Sequence, residues 1–277
     1  MPDVTSGTNL PDYRRPPVVE VIFAVAVAPL AIPVVDLARF GLERLGEEFP
    51  IHQDQPPTRM PTESFEDAAA TIIPALSLLT GAPPIRLWFQ SEDRTRLVQL
   101  QRDWLAYNWQ GSSGDSPYPR YESIENRFLQ IWDNFSDFLT NLSGETLTTH
   151  QCELSYINHI TSDGLWERVG QLDKVLRLVG VAGDFLPEPE DGQIAFRYRI
   201  RRDGVDAGRL YVQATPGQRQ ADRSPVVQLT VTARGAPIGQ GRQGMIEFFR
   251  LAHEWIVSGF AAVTTEVAQR GLWERIR

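Results

Sequence analysis

Residues Arg86–Trp109, RLWFQSEDRTRLVQLQRDWLAYNW, decide how the chain is read. They describe a β-hairpin whose second strand changes character halfway along. From Leu97 to Gln101 the pattern alternates, with Val98 and Leu100 on one side and Gln99 and Gln101 on the other. Asp103 continues the polar side, but Leu105, Tyr107 and Trp109 make that same side apolar. A strand has a period of two, so the switch calls for a bulge, a twist or a change of neighbour. On this reading Gln99, Gln101 and Asp103 share a sheet face that could shape a shallow groove, with Glu20, Ala24 and Ala26 on a neighbouring strand. Arg102 falls among apolar neighbours, where it needs a carboxylate or must reach out to water; a structural role is expected for it.

Working outward, Val18–Val27 is a strand with large apolar residues at its odd positions (Val19, Val21, Phe23, Val25, Val27), expected to face the main core. A helix follows over about 34–48, with Val35, Leu37, Leu42 and Leu45 as its buried positions. The proline-rich stretch 53–84 is irregular, apart from a short element near 68–79. A polar turn, GSSGDSPYP, precedes the clearest helix, Tyr121–Leu142, where Ile124, Phe128, Ile131, Phe135, Phe138 and Leu142 form one apolar stripe. The second half repeats the plan: a strand at 151–160, a helix at 166–179, three strands at 193–202, 208–214 and 226–234, and a long helix at 244–270 burying Ile246, Phe249, Ile256, Phe260, Val263 and Val267. The expected architecture is α+β, two similar halves of strand, helix, antiparallel sheet and long helix packed together. The division is a flexible segment 1–15, an N-terminal lobe 16–145 and a C-terminal lobe 146–277.

Composition narrows the chemistry. The chain has 277 residues and a net charge of −8, which disfavours a general nucleic-acid binder because that affinity rests on neutralised phosphates. One cysteine, Cys152, rules out an internal disulfide framework and any multi-cysteine metal site. Met1–Leu10 lacks the apolar core of a signal peptide, and no run suits a bilayer span, so a cytoplasmic protein without membrane contact is expected. Phosphate-cradling, dinucleotide, zinc-protease and nucleophile-elbow motifs are missing, and the four histidines lie far apart. No catalytic residue, cofactor or metal is therefore assigned.

The more suggestive constellation is cationic. In the second half Arg197, Arg199 and Arg201 alternate on one strand, Arg209 and Tyr211 on the next, and Arg234 on the third. Paired in a meander, they give one face several guanidinium forks suited to an anionic ligand or an acidic partner. Solvation of one face of an antiparallel sheet is the simpler account.

The strings LPDYRRPPVVEVIFAVAVAPL, RLWFQ, LVQLQRDWLAYNW, YPRYESI and AHEWIVSGFAAVTTEVAQRGLW resemble a sporadically distributed family of bacterial proteins of about this length, with no established activity. The family's histidine after the Thr264–Thr265 pair is replaced here by Ala268, Gln269 and Arg270. Patchy occurrence of this kind implies a gene of mobile or defence islands. The leading expectation is thus a non-enzymatic binding or regulatory protein of a conflict, toxin-neutralising or stress system. Its partner would be another protein, encoded by a neighbouring gene, or a second copy of itself. The alternatives are a small-molecule sensor holding its ligand between the lobes, and an enzyme using carboxylates and arginines without metal.

Overall fold

The computed structural model describes residues 10–65, 85–111, 117–144, 146–180, 185–219 and 222–277; the element expected near 68–79 and much of the GSSGDSPYP turn lie outside them. In chain order the elements are β1 (Val18–Val27), α1 (Val34–Phe40), β2 (Ile51–Gln55), β3 (Arg86–Gln90), β4 (Arg96–Gln101), β5 (Trp104–Gln110), α2 (Tyr121–Ser143), β6 (Thr149–Thr161), β7 (Ile194–Arg202), β8 (Val205–Gln218), β9 (Pro225–Gly235), α3 (Gly241–Val263) and α4 (Glu266–Gly271). The fold is α+β, built on one nine-stranded antiparallel sheet in the order β2-β3-β4-β5-β1-β6-β9-β8-β7. Each half begins with a central strand, crosses to a sheet edge and returns inward by its meander, so that β5 and β9 flank β1 and β6, and β1 against β6 makes the sheet continuous.

The sheet's two faces follow from strand parity. Val21, Phe23, Val25 and Val27 of β1 are buried against the helices, while Val19, at a register shift, is only half-buried. Phe23 lies 5.4 Å from Phe128 of α2 and 4.9 Å from Phe249 of α3, ring centre to ring centre. The apolar stripe of α2 is buried from Ile124 to Phe138, with Leu142 only half-buried, and the helix ends at Gly144, whose left-handed backbone (φ 72°) lets its N–H reach the Thr140 carbonyl. Where α3 crosses the sheet, only glycine fits at Gly235: a Cβ there would stand 2.2 Å from the Ala207 oxygen and 2.5 Å from the Phe248 ring. No helix among the described residues is long and apolar enough to cross a membrane.

Several expectations are corrected. The polarity switch in Arg86–Trp109 is neither a bulge nor a twist but a chain reversal. The chain turns at Arg102–Asp103, so Gln101 pairs with Trp104 and Gln99 with Ala106. Odd residues of β4 therefore share a face with even residues of β5, which returns Leu105, Tyr107 and Trp109 to the core beside Val98 and Leu100. The reversal also frees Arg102, which is exposed at the turn while its carbonyl accepts the Leu30 N–H. Residues 51–55, partly assigned to irregular chain, form edge strand β2.

The expected helix at 34–48 widens after Phe40 into a π turn at Gly41–Leu45; Leu37, Phe40 and Leu45 are buried, whereas Val35 and Leu42 face solvent. The helix expected at 166–179 is only a 3-10 turn, Val169–Lys174. Its end is tied instead to the α3–α4 junction: Arg177 donates to the Val263 carbonyl and Thr265 to the Val175 carbonyl. That junction interrupts the long C-terminal helix. Thr264 is extended (ψ 155°) with its hydroxyl on the Phe260 carbonyl, so Val267 is exposed on α4 and not in the stripe.

The turn at Arg102–Asp103 yields a simple expectation. Arg102→Ala should change the unfolding free energy by less than about 0.5 kcal/mol, as for an exposed site. Leu100→Ala, two residues away in the core, should cost about 2–5 kcal/mol. Urea denaturation of both variants would check the assignment; a large loss in the first would place Arg102 inside.

Candidate functional site

All the polar positions singled out from sequence fall on the sheet face opposite the helices, and the chain itself engages most of them. Gln99 is buried in a relay across four strands. Its amide oxygen accepts from Trp88 Nε1 (2.9 Å) and an Arg86 guanidinium N–H (3.0 Å), and its amide nitrogen donates to Asn108 Oδ1 (2.7 Å). Asn108 in turn donates to Glu20 Oε1 at 2.6 Å. A guanidinium at one end and a carboxylate at the other orient every amide between them, which locks the register of β3, β4, β5 and β1.

Residues 58–65 cross this face as a strap. The Gln101 amide holds both the N–H and the carbonyl of Thr58 (2.6 and 2.9 Å), and also donates to Asp103 in the turn. Met60 packs on Ala24, Trp104 and Ala106, where the small side chains of β1 and β5 leave room. The Glu63 N–H donates to Gln151 Oε1 at 3.2 Å. The Glu63 carboxylate, 5 % exposed, receives Arg209, Tyr211 and Arg234. Phe65 then lies over Arg209, its ring centre 4.6 Å from the guanidinium carbon, with Arg199 at 5.9 Å.

The arginine face is therefore real but largely neutralised from within. Arg234 also binds Glu153 through Nε at 2.6 Å, and Arg199 and Arg201 share Asp206 at 2.6 and 3.1 Å. Arg197 is exposed and has no ion-pair partner among the described residues. Sequence reasoning missed Glu63 because it lies in a stretch with no periodicity to place it.

A second site was not legible at all. On the helix side, at the junction of the two halves, a cavity of about 370 Å³ is lined by Tyr13, Tyr118, Tyr121, Tyr156, Asn158 and His253, with Asp12, Arg120 and Arg277 at its margin. One wall is a clasp between the chain's ends: Tyr13 bridges Arg275, and Asp12 accepts the Ile276 N–H. Asp12 also binds Arg120 (3.0 Å) and Arg277 (3.3 Å). Inside, the Tyr118 and Tyr156 hydroxyls share a 2.9 Å hydrogen bond. The His253 ring stacks on Tyr121 (3.9 Å between centres, 11° between planes), and Tyr121 donates to Glu125 Oε1. His253 has no hydrogen-bond partner among the described residues. His159, the other histidine of that half, sits on the opposite sheet face, so the two do not meet.

Burial controls the cavity's protonation. It pushes the phenols of Tyr118, Tyr121 and Tyr156 well above their ordinary range and Tyr13 up to about 12. The same desolvation lowers the His253 imidazole to about 4. It also raises the Cys152 thiol, so that residue is an inert core group. Set against protein-family models, curated proteins and solved structures, the chain returns no match.

Two outcomes follow. Glu63→Gln leaves Arg209 and Arg234 without their shared counter-charge and should cost about 2–4 kcal/mol in urea denaturation, whereas Asp103→Asn at the exposed turn should cost under about 0.5 kcal/mol. Equal effects would deny the strap its anchoring role. His253 supplies the pH test. Its folded pKa lies below its unfolded one, so above pH 6.5 neither state binds the proton, and between 6.5 and about 4 only the unfolded chain does. Stability should thus fall on acidification through that window, by up to about 3 kcal/mol. Glu125, raised by burial, works in the opposite sense, so the comparison must be made by difference. His253→Phe, which keeps the ring stack, should remove the histidine's share of the slope; unchanged slopes would mean a solvated imidazole.

Proposed function

We propose that this protein is a non-enzymatic binding protein that holds a small, uncharged, planar ligand in the cavity between its two halves. The observation that carries this reading is the cavity's make-up: stacked and tilted rings whose inner phenols and imidazole are held in their neutral forms, with the charged groups (Asp12, Arg120, Glu122 and Arg277) set around them. A general acid or base works when its pKa lies near the working pH. Here burial moves phenols up and imidazole down, away from that range, so the groups can donate and accept hydrogen bonds but have no proton to trade. Two coupled hydroxyls and an imidazole with unused nitrogens suit the edge of a heteroaromatic ring, and the Tyr121–His253 stack suits its face. A volume of about 370 Å³ fits a small ligand, near the lower end of the roughly 300–1,000 Å³ usual for such sites.

Three of the strings that carry the family resemblance also meet here: Leu10–Val18, Tyr118–Glu122 and His253–Val257 each supply wall residues. The toxin-neutralising role implied by that resemblance would instead use the arginine-rich face, much of which the chain already occupies.

The test is a thermal-shift screen with a panel of neutral heteroaromatic fragments, on the native chain and on Val257→Trp, which fills the cavity. Binding members should raise Tm by a few degrees in the native protein and not in the variant, and should move the His253 imidazole NMR signals without protonating them. A panel with no stabilising member, or one acting equally on both proteins, would overturn the reading.

A further inference from the structure

We propose that the Arg209–Tyr211–Arg234 cluster is a recognition site for an extended acidic peptide of a partner protein, and that the chain's own Glu63–Phe65 occupies it in cis. The peptide's signature is a glutamate followed two residues on by an aromatic ring. The site is built to read peptide, not merely to bind an anion. Two guanidinium groups and a phenol converge on one carboxylate. The next aromatic ring, Phe65, lies over Arg209 with its centre 4.6 Å from the guanidinium carbon. Gln101 binds a backbone N–H and carbonyl together, as a neighbouring strand would, and Gln151 takes the N–H of the glutamate itself. A small anion would use the arginines alone and leave the ring platform and both backbone readers idle.

The occupant in place is also imperfect. Gln151, 2 % exposed, has its amide Nε2 buried with no hydrogen-bond partner among the described residues. A buried donor left unpaired costs about 1–3 kcal/mol, and a partner peptide with an acceptor at that position would recover it. The strap has no backbone ladder with the sheet: residues 56–65 lie outside every strand and helix and are held by side chains. It competes only through tethering, which for short linkers amounts to an effective concentration on the order of millimolar. A partner displaces such an occupant once its concentration divided by its own Kd exceeds that effective concentration divided by the strap's Kd.

The experiment uses the full chain and a fluorescein-labelled peptide of the strap sequence, TRMPTESF, followed by fluorescence anisotropy. The variant Glu63→Gln/Phe65→Ala, with its fold checked by circular dichroism, should bind the peptide at least tenfold more tightly than the native chain. Arg209→Gln/Arg234→Gln in that background, or glutamine for glutamate in the peptide, should abolish binding. Equal binding by native and variant chains, or none by a folded variant, would overturn the proposal. So would equally effective competition by acetate or inorganic phosphate at the peptide's own concentration, which would reduce the site to an anion hole. If the variant does not fold, hydrogen exchange on the native chain decides: excess unlabelled peptide should speed exchange at the Thr58 and Glu63 amides, and unchanged protection would overturn the proposal. None of these outcomes depends on the cavity.

Discussion

The antiparallel pairing of β1 with β6 is the constraint on which the rest depends. Both strands lie at the centre of the sheet, and each borders one meander: β2 to β5 on one side, β7 to β9 on the other. Because the period is two, fixing Val21 opposite Tyr156 and Ala24 opposite Glu153 sets which residues of the two central strands share a face, and the flanking ladders carry that assignment outward except at the register shifts at the ends of β1 and in β7. A slip of one residue in β1 would move Phe23 away from Phe128 and Phe249 and set Glu20 against the helices, and the same slip in β6 would do this to Glu153. The register is therefore specified by the cost of burying unpaired carboxylates as much as by the gain from burying rings.

The two faces resolve that constraint with different chemistry. The helix side is packed with aromatic residues, and the cavity opens where the two halves meet and aromatic edges leave a gap. The other side carries polar residues at buried positions, so each must find a partner within the chain. The Arg86–Gln99–Asn108–Glu20 relay and the Glu63 cradle do this across the sheet, perpendicular to the strands. Such networks contribute little net stability but penalise alternative registers, since any displacement strands several buried groups at once.

This contrast explains what the sequence discloses. Strand β1, helix α2 and the second-half strands are legible because burial imposes a period, and the arginines of β7, β8 and β9 could be put on one face by parity alone. Reversals defeat the same logic. Gln101-Arg102-Asp103-Trp104 contains no glycine or proline, so nothing local announces the turn, and its effect on parity reads as a strand that changes sides. Contacts between distant segments are hidden for a different reason. The cavity joins Tyr13, Tyr118, Tyr156 and His253, whose proximity exists only after the sheet has closed, and Glu63 finds its arginines 146 and 171 residues away. Composition shows that such groups are present, not that they meet.

The strap's geometry gives it a particular mechanical character. From Gln101 on β4 to Arg209 on β8 it passes five inter-strand gaps, about 24 Å at the usual strand spacing. Thr58 to Phe65 is seven residue steps, which can span at most about 25 Å. The segment thus runs across the strands, and the long Gln101 and Arg209 side chains supply part of the reach. Its two ends are held separately, by the Gln101 amide at Thr58 and by Arg209, Tyr211 and Arg234 at Glu63. Losing the Glu63 cradle would free the strap's far end while the Gln101 amide still holds Thr58, and would remove one link between the halves beside the β1–β6 pairing and the Phe128–Phe249 and Asp133–Arg242 contacts of α2 with α3. The carboxylate is the natural trigger of that release, because its partners are the strap's strongest and lie at its far end.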